Sequence, residues 1–135
     1  MGDNVGYVAG EVGVGDLLAA VPALAGEALD VEQVAQLDSK DMGFAVWQAL
    51  AQRVAFHLDR PDVEAVVITH GTDTLEETAF FLQALLQPAK PVVLTCAMRP
   101  ATALVPDGPQ NLLDAVAVAR WTGASGVVAV CAGQV

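Results

Sequence analysis

The chain has 135 residues and a mass of 13.9 kDa, which is the size of a single domain. Hydrophobic residues make up 54% and charged residues 16%, and this excludes a disordered segment, which would be poor in hydrophobic residues. The net charge of −10 disfavours binding to nucleic acid or to an anionic membrane surface. No apolar run approaches the ~20 residues of a membrane span, and no signal peptide is visible at the start.

The first half of the chain is predicted to form two helices and two strands. Residues 14–24 carry apolar side chains at helical spacing, although Pro22 weakens the second half of that helix. Residues 31–37 have a length that suits a strand, with Val31, Gln33, Ala35 and Leu37 on one face and Glu32, Val34 and Gln36 on the other. Residues 44–58 give the clearest helix, because their apolar side chains fall on one stripe. Residues 63–69 form a β-branched run without alternation, as expected of a strand that is covered on both faces.

The second half of the chain repeats this alternation. Helices are predicted over residues 75–86 and 111–121, and strands over residues 91–97 and 127–131. The pattern predicts one α/β domain over residues 1–135, with a doubly wound parallel sheet and helices on both faces. Such a sheet normally opens with a strand, and none precedes the first helix here. The glycine-spaced opening, residues 5–13, is predicted to be a loop and not that strand.

The two cysteines, Cys96 and Cys131, each lie in an apolar strand-like run. Two cysteines support neither a disulfide framework nor a zinc site, so we predict two small buried thiols and no metal. The sequence leaves the cellular location of the protein unknown. Reduced thiols are weak support for a cytoplasmic location.

Polar side chains follow three of the predicted strands, at residues 38–41, 69–74 and 96–100. Because ligands bind beyond the carboxyl ends of parallel strands, we expect these clusters to share one edge of the sheet. In the second cluster, Gly71 permits a tight turn, and a helix is predicted to begin at Thr72 or Asp73. The spacing of Asp73 to Glu76, or of Thr74 to Glu77, suits a capping box. Such a helix start favours a carboxylate or a developing oxyanion.

Each of these residues also has a purely structural interpretation. A threonine and an aspartate at a helix start most often only cap it, His70 is more simply a hydrogen-bonded structural residue, and Ser39 is more simply a turn residue. A threonine nucleophile needs a base within hydrogen-bond reach. Lys90 precedes its strand and is expected at the opposite edge of the sheet, whereas Lys40 is at the correct edge but on a different loop.

Residues 66–82, which read VVITHGTDTLEETAFFL, closely resemble the second signature of the bacterial-type L-asparaginase and glutaminase-asparaginase family. Tyr7 with its neighbouring glycines resembles the end of the active-site flap of that family. Residues 38–42 resemble its substrate-carboxylate loop, and residues 97–112 resemble the segment after the next strand. The resemblance extends over nearly the whole chain, from about Tyr7 to Val135.

The resemblance implies hydrolysis of the side-chain amide of L-asparagine, and of L-glutamine in some members, through a threonine acyl-enzyme and without a cofactor. By match to the signature, Thr72 is the threonine of a Thr-Lys-Asp triad. Asp73 is its aspartate, which also contacts the amino group of the substrate. Tyr7 is the flap tyrosine.

The substrate-binding residues carry over in the same way. Ser39 would hold the α-carboxylate of the substrate, Ala97 would line the site through its backbone carbonyl, and N–H groups near Gly71 would stabilise the oxyanion. Lys40 stands where many members carry glutamine, which bears on substrate preference.

The resemblance also implies that the chain is an internal fragment of the amino-terminal domain, a partial domain that lacks its first strand and is expected to have a slot in its core. The Thr-Gly-Gly-Thr-Ile strand with the first nucleophile, the triad lysine and the carboxyl-terminal domain are all missing, so little activity is expected from the chain alone. Intact members are homo-oligomers. Two alternatives remain: a non-catalytic amino-acid-binding or assembly module, and the ammonia-supplying subunit of a tRNA-dependent amidotransferase.

Overall fold

Three parallel strands form the centre of the fold. A computed structural model of the protein describes residues 12–135. The strands β1 (Val66–Thr69), β2 (Val92–Thr95) and β3 (Val127–Val130) pair in the order β1-β2-β3. The helices are α1 (Val14–Ala19), α2 (Phe44–Asp59), α3 (Leu75–Leu86) and α4 (Gly108–Arg120), and short 3₁₀ turns occupy Pro22–Leu24 and Ser39–Asp41.

Helices cover both faces of this sheet, because successive residues of each strand point to opposite sides. On one face, α2 and α3 pack against Val92 and Leu94 of the central strand. On the other face, α4 packs against Val93 and Val130. Every residue of β2 is buried, as expected of a strand that is enclosed on both faces. The predicted α/β fold with a parallel sheet between helical layers is confirmed.

The two crossovers of the sheet differ in hand. The chain moves one strand in the same direction from β1 to β2 and from β2 to β3. The connecting helices α3 and α4 nevertheless pack on opposite faces. If both crossovers had the same hand while the chain moved in the same direction, both connecting helices would lie on the same face of the sheet. They do not, so one of the two crossovers is left-handed. About 98% of such connections are right-handed, so no sequence pattern predicts this feature.

The predicted strand over residues 31–37 is wrong. Residues 31–36 are exposed and irregular, and no strand among residues 12–135 runs beside them to supply the hydrogen bonds that a strand needs. A side chain fixes the segment instead: Glu32 accepts hydrogen bonds from Arg53 (2.6 Å) and from His57 (2.8 Å) on α2. These two hydrogen bonds lower the pKa of the Glu32 carboxyl to about 2, and the bond from Arg53 has the larger effect.

Other element boundaries differ from the prediction at the ends. The first helix stops at Ala19, and Pro22 then opens a separate 3₁₀ turn. The helix predicted from residue 111 begins three residues earlier, at Gly108. β1 is shorter than predicted and only partly buried, because it lies at an edge of the described sheet.

The three described strands are direct neighbours, so the expected slot does not separate them. No helix within residues 12–135 is long and apolar enough to cross a membrane.

Candidate functional site

Two segments that are far apart in the sequence meet at the carboxyl end of β1. Ser39 lies in the second 3₁₀ turn and is buried. Its Oγ accepts a hydrogen bond from the backbone N–H of Asp73 (3.0 Å), and its carbonyl accepts one from the Thr74 hydroxyl (2.8 Å). Gly71 lies against the same serine side chain. The first and second polar clusters of the sequence therefore share one edge, as predicted.

The predicted capping box at the start of α3 does not form. The helix begins at Leu75, its N-cap residue is Thr74, and that side chain makes no cap hydrogen bond. The Thr74 hydroxyl is committed to the carbonyl of Ser39 instead. A tertiary hydrogen bond has replaced the local one, and it holds the two loops together.

Thr72 and Asp73 face solvent at this edge. Both residues are exposed, as is Gly71. Within residues 12–135, neither the Thr72 hydroxyl nor the Asp73 carboxylate takes part in a hydrogen bond or an ion pair. A hydroxyl and a carboxylate on adjacent residues are thus available to a ligand, and the backbone beneath them is fixed by Ser39.

A chain of hydrogen bonds supports this turn from below. The Nδ1 of His70 lies 2.7 Å from the carbonyl of Gly71, and since a carbonyl only accepts, Nδ1 carries the proton. Nε2 then accepts a hydrogen bond from the Thr78 hydroxyl at 2.8 Å. The same hydroxyl accepts a bond from the indole N–H of Trp47 at 2.7 Å. The structural role that the sequence favours for His70 is confirmed, and this role orients the Gly71 carbonyl.

Neither lysine forms a hydrogen bond with the Thr72 hydroxyl. The Nζ of Lys90 donates to the carbonyls of Leu58 (2.7 Å) and Arg60 (2.8 Å) at the end of α2, which is the opposite edge, as predicted. The exposed Lys40 pairs with Asp38 at 3.5 Å. No cluster of three metal-ligating side chains occurs in the described part of the chain.

The loop after β2 is held by Asp107, which precedes α4. Its carboxylate accepts hydrogen bonds from the backbone N–H groups of Met98 (3.0 Å) and Arg99 (2.9 Å). Partial burial alone would raise the pKa of Asp107, but these bonds outweigh it and hold the pKa below its ordinary value. Ala97, the predicted backbone contact for substrate, lies half-buried in this loop against Gly108.

Sequence reasoning overlooked the Trp47 and Thr78 pair. The available signal was Thr78 itself, a polar residue on the apolar stripe of α3 between Leu75 and Leu82. A hydroxyl in such a place needs a buried partner. The remaining predicted site residue, Tyr7, lies outside the described residues.

Known proteins are similar to this chain in sequence and in fold. The model of the amino-terminal domain of the asparaginase family matches residues 2–135. The chain is 47% identical over 116 residues to "Probable L-asparaginase 4" of Schizosaccharomyces pombe, covering 85% of this chain and 33% of that protein. It is 46% identical over 121 residues to "Glutaminase-asparaginase" of Pseudomonas fluorescens biotype A, covering 89% and 33%.

A solved structure has the same fold. The crystal structure of a probable cytoplasmic L-asparaginase from Campylobacter jejuni superposes with a TM-score of 0.82 and 43% identity, over 88% of this chain and 38% of that one. The chain spans about a third of the length of the curated relatives that it matches. On these matches and on the signature around Thr72, the chain belongs to the asparaginase family, within the region of its amino-terminal domain.

Proposed function

We propose that the edge formed by Ser39, Thr72 and Asp73 serves hydrolysis of the side-chain amide of L-asparagine, with L-glutamine as the second amide to test. The observation that carries this proposal is the bond from the Asp73 N–H to Ser39 Oγ. It joins the two segments that the family resemblance assigns to the substrate. Curated relatives that are named asparaginases and a glutaminase-asparaginase support the same reaction.

The charges at this edge suit a free amino acid. The Asp73 carboxylate is exposed and unpaired within the described residues, so it can pair with an α-ammonium group. Ser39 Oγ already accepts one hydrogen bond, which leaves its own proton to donate to an α-carboxylate.

The proposed reaction runs through a threonine acyl-enzyme: a threonine hydroxyl attacks the side-chain carbonyl, ammonia leaves, and water then releases the acid. By the family resemblance, the first nucleophile belongs to the Thr-Gly-Gly-Thr-Ile strand, and Thr72 is the second threonine, that of the Thr-Lys-Asp triad. Backbone N–H groups near Gly71 and Thr72 would stabilise the oxyanion, each contributing about 3 kcal/mol. A threonine hydroxyl needs a base, and neither Lys40 nor Lys90 contacts Thr72. We therefore expect the 135-residue chain by itself to release little or no ammonia.

Calorimetry with L-aspartate, the reaction product, tests binding separately from turnover. The chain should bind L-aspartate, and Asp73→Asn should weaken that binding at least tenfold, because it removes the charge that pairs with the ammonium group. Glu64→Gln, at an exposed position before β1, is the matched control and should leave binding unchanged. Absence of binding by a folded chain, or equal binding by the Asp73 variant, would contradict the assigned site.

Ammonia release separates the enzyme from the non-catalytic alternative. A binding module that retains the amino-acid site would bind L-aspartate and hydrolyse nothing, and the absence of a cation on Thr72 within residues 12–135 favours that alternative for the isolated chain. Ammonia release from L-asparagine at an enzymatic rate would refute it. If turnover occurs, Thr72→Val should abolish it, whereas Thr122→Val, at an exposed site after α4, should not.

The proposal also includes expectations about an alternative enzyme class, assembly, the flap and location. The amidotransferase subunit ranks below the amidohydrolase, because a net charge of −10 does not favour contact with tRNA. Assembly into a homo-oligomer, the flap role of Tyr7 and a cytoplasmic location stay predictions.

A further inference from the structure

The two cysteines of the chain lie side by side, although 35 positions separate them in the sequence. Cys96 follows β2 and Cys131 follows β3, and the register pairs the residues just before them, Thr95 with Val130. Both thiols are free, and their Sγ atoms are 2.6 Å apart. The prediction of two buried thiols holds for Cys96 only, since Cys131 is partly exposed.

The backbone geometry at this pair already suits a covalent link. Neighbouring strands lie about 4.8 Å apart. Disulfides join residues whose Cα atoms are usually about 4.4–6.8 Å apart. Cys96 and Cys131 each come directly after the last register pair of the two strands, Thr95 and Val130, so we expect a bond between their sulfur atoms to need little backbone movement.

Hydrogen bonds hold both strand ends in this position. The buried side chain of Asn111 donates to the carbonyl of Cys96 (2.8 Å) and accepts from the N–H of Ala132 (3.0 Å). The backbone of Cys131 exchanges two further bonds with Gln134. Because Asn111 forms hydrogen bonds with the backbone at both strand ends, it holds the two thiols close together while the fold is intact.

The two thiols differ in access. Cys96 is 8% exposed and Cys131 is more open. Burial, followed by the neighbouring thiol, raises the pKa of Cys96 to about 12. Because Cys131 is the more open thiol, it meets a reagent first, and the buried Cys96 is suited to the second, intramolecular step.

We propose that Cys96 and Cys131 are a redox-modification site that takes small organic disulfides and closes to an intramolecular disulfide. In the first step, the Cys131 thiolate attacks one sulfur of the reagent, which forms a mixed disulfide and expels one small thiol. In the second step, Cys96 gives up its proton and attacks the sulfur of Cys131, which expels the second small thiol. Two protein thiols are oxidised, one organic disulfide is reduced, and the two protons leave on the released thiols.

The link would tie the loop that carries Ala97 to the end of β3. It closes the chain between residues 96 and 131 and restricts the unfolded state. For a domain of this size, we expect the oxidised protein to melt about 5–10 °C above the reduced protein. The proposal does not depend on the amidohydrolase function, because neither cysteine is assigned to that reaction.

The test is incubation of the whole 135-residue chain with glutathione disulfide, followed by thiol titration and intact mass. The thiol count should fall from two per chain to none, with a mass loss of two hydrogen atoms, no covalent dimer and full reversal by dithiothreitol. Cys96→Ser should accept a single glutathione adduct at Cys131 and stop there. Cys96→Ala is the substitute if the serine variant fails to fold, since it places no polar group in the core.

Three results would overturn the proposal. The first is a wild-type chain that keeps both thiols or stops at the glutathione adduct. The second is oxidation that joins two chains rather than the two thiols of one chain. The third is a Cys96→Ser or Cys96→Ala chain that is folded and takes no adduct, because Cys131 would then be closed to the reagent.

Discussion

Gly71 and Ser39 are in such close contact that no side chain fits at position 71. A Cβ on Gly71 would lie 2.5 Å from the Oγ and 2.7 Å from the Cβ of Ser39. Real Cβ atoms do not approach neighbours this closely, and the buried serine is held by its bond to Asp73, so it cannot give way. The approach of these two loops thus depends on a glycine for space, not for an unusual backbone angle.

Gly71→Ala should therefore destabilise the protein by about 1–3 kcal/mol, the usual cost of forcing an extra methyl group into a packed site. Urea unfolding measures this. The control is Gly26→Ala, because a Cβ at Gly26 would meet nothing within 4 Å, and its effect should stay within about 0.5 kcal/mol. Equal stability of both variants would show that the loops separate without cost.

Ser39→Ala should lower the free energy of unfolding by about 1–2 kcal/mol, because the N–H of Asp73 loses its acceptor in a partly buried place. The same variant should weaken L-aspartate binding if Ser39 holds the α-carboxylate. Ser125→Ala, at an exposed position before β3, should change neither quantity. A stable Ser39→Ala chain with unchanged affinity would argue against both roles.

Thr78→Val should cost about 2–3 kcal/mol of stability, although the two side chains have nearly the same shape. The change removes the hydroxyl that joins the indole N–H of Trp47 to Nε2 of His70, and it leaves both groups without their partner. Urea unfolding should detect the loss, with the exposed Thr122→Val as the matched control. A loss below about 0.5 kcal/mol would mean that the chain of hydrogen bonds contributes no net stability.

Asp107→Asn should destabilise the protein at neutral pH and matter less in acid. The pKa of the folded-state carboxyl lies below its ordinary value of 3.8, so the ionised group stabilises the fold above that pH, and the stabilisation is lost as the pH falls through the folded pKa. Urea unfolding of both proteins at pH 7 and at pH 3 measures this difference. A gap that widens in acid would contradict the assigned hydrogen bonds to Met98 and Arg99. Glu64→Gln, at an exposed site whose carboxylate has no partner in the described chain, is the matched control.

The sequence by itself determined the features that depend on one continuous segment. The apolar stripe of residues 75–86 matches the bounds of α3, whereas the helix start expected at Thr72 or Asp73 is wrong, and the apolar runs located all three strands of the described sheet. The signature at residues 66–82 pointed to Thr72 and Asp73 as the exposed pair at a strand end, since hydrophobic periodicity and a local motif are both properties of neighbouring residues.

The tertiary structure alone decided the features that depend on which distant segments meet. Residues 31–37 have the alternation of a strand but no strand beside them in the described sheet, so they do not become one. The Thr74 hydroxyl leaves its helix for the carbonyl of Ser39, and Cys96 finds Cys131 through the register of two strands. The hand of one crossover departs from the common rule. The contacts of Ser39 with Asp73 and Thr74, and of Cys96 with Cys131, join segments 34 or 35 residues apart, and local periodicity carries no information about such contacts.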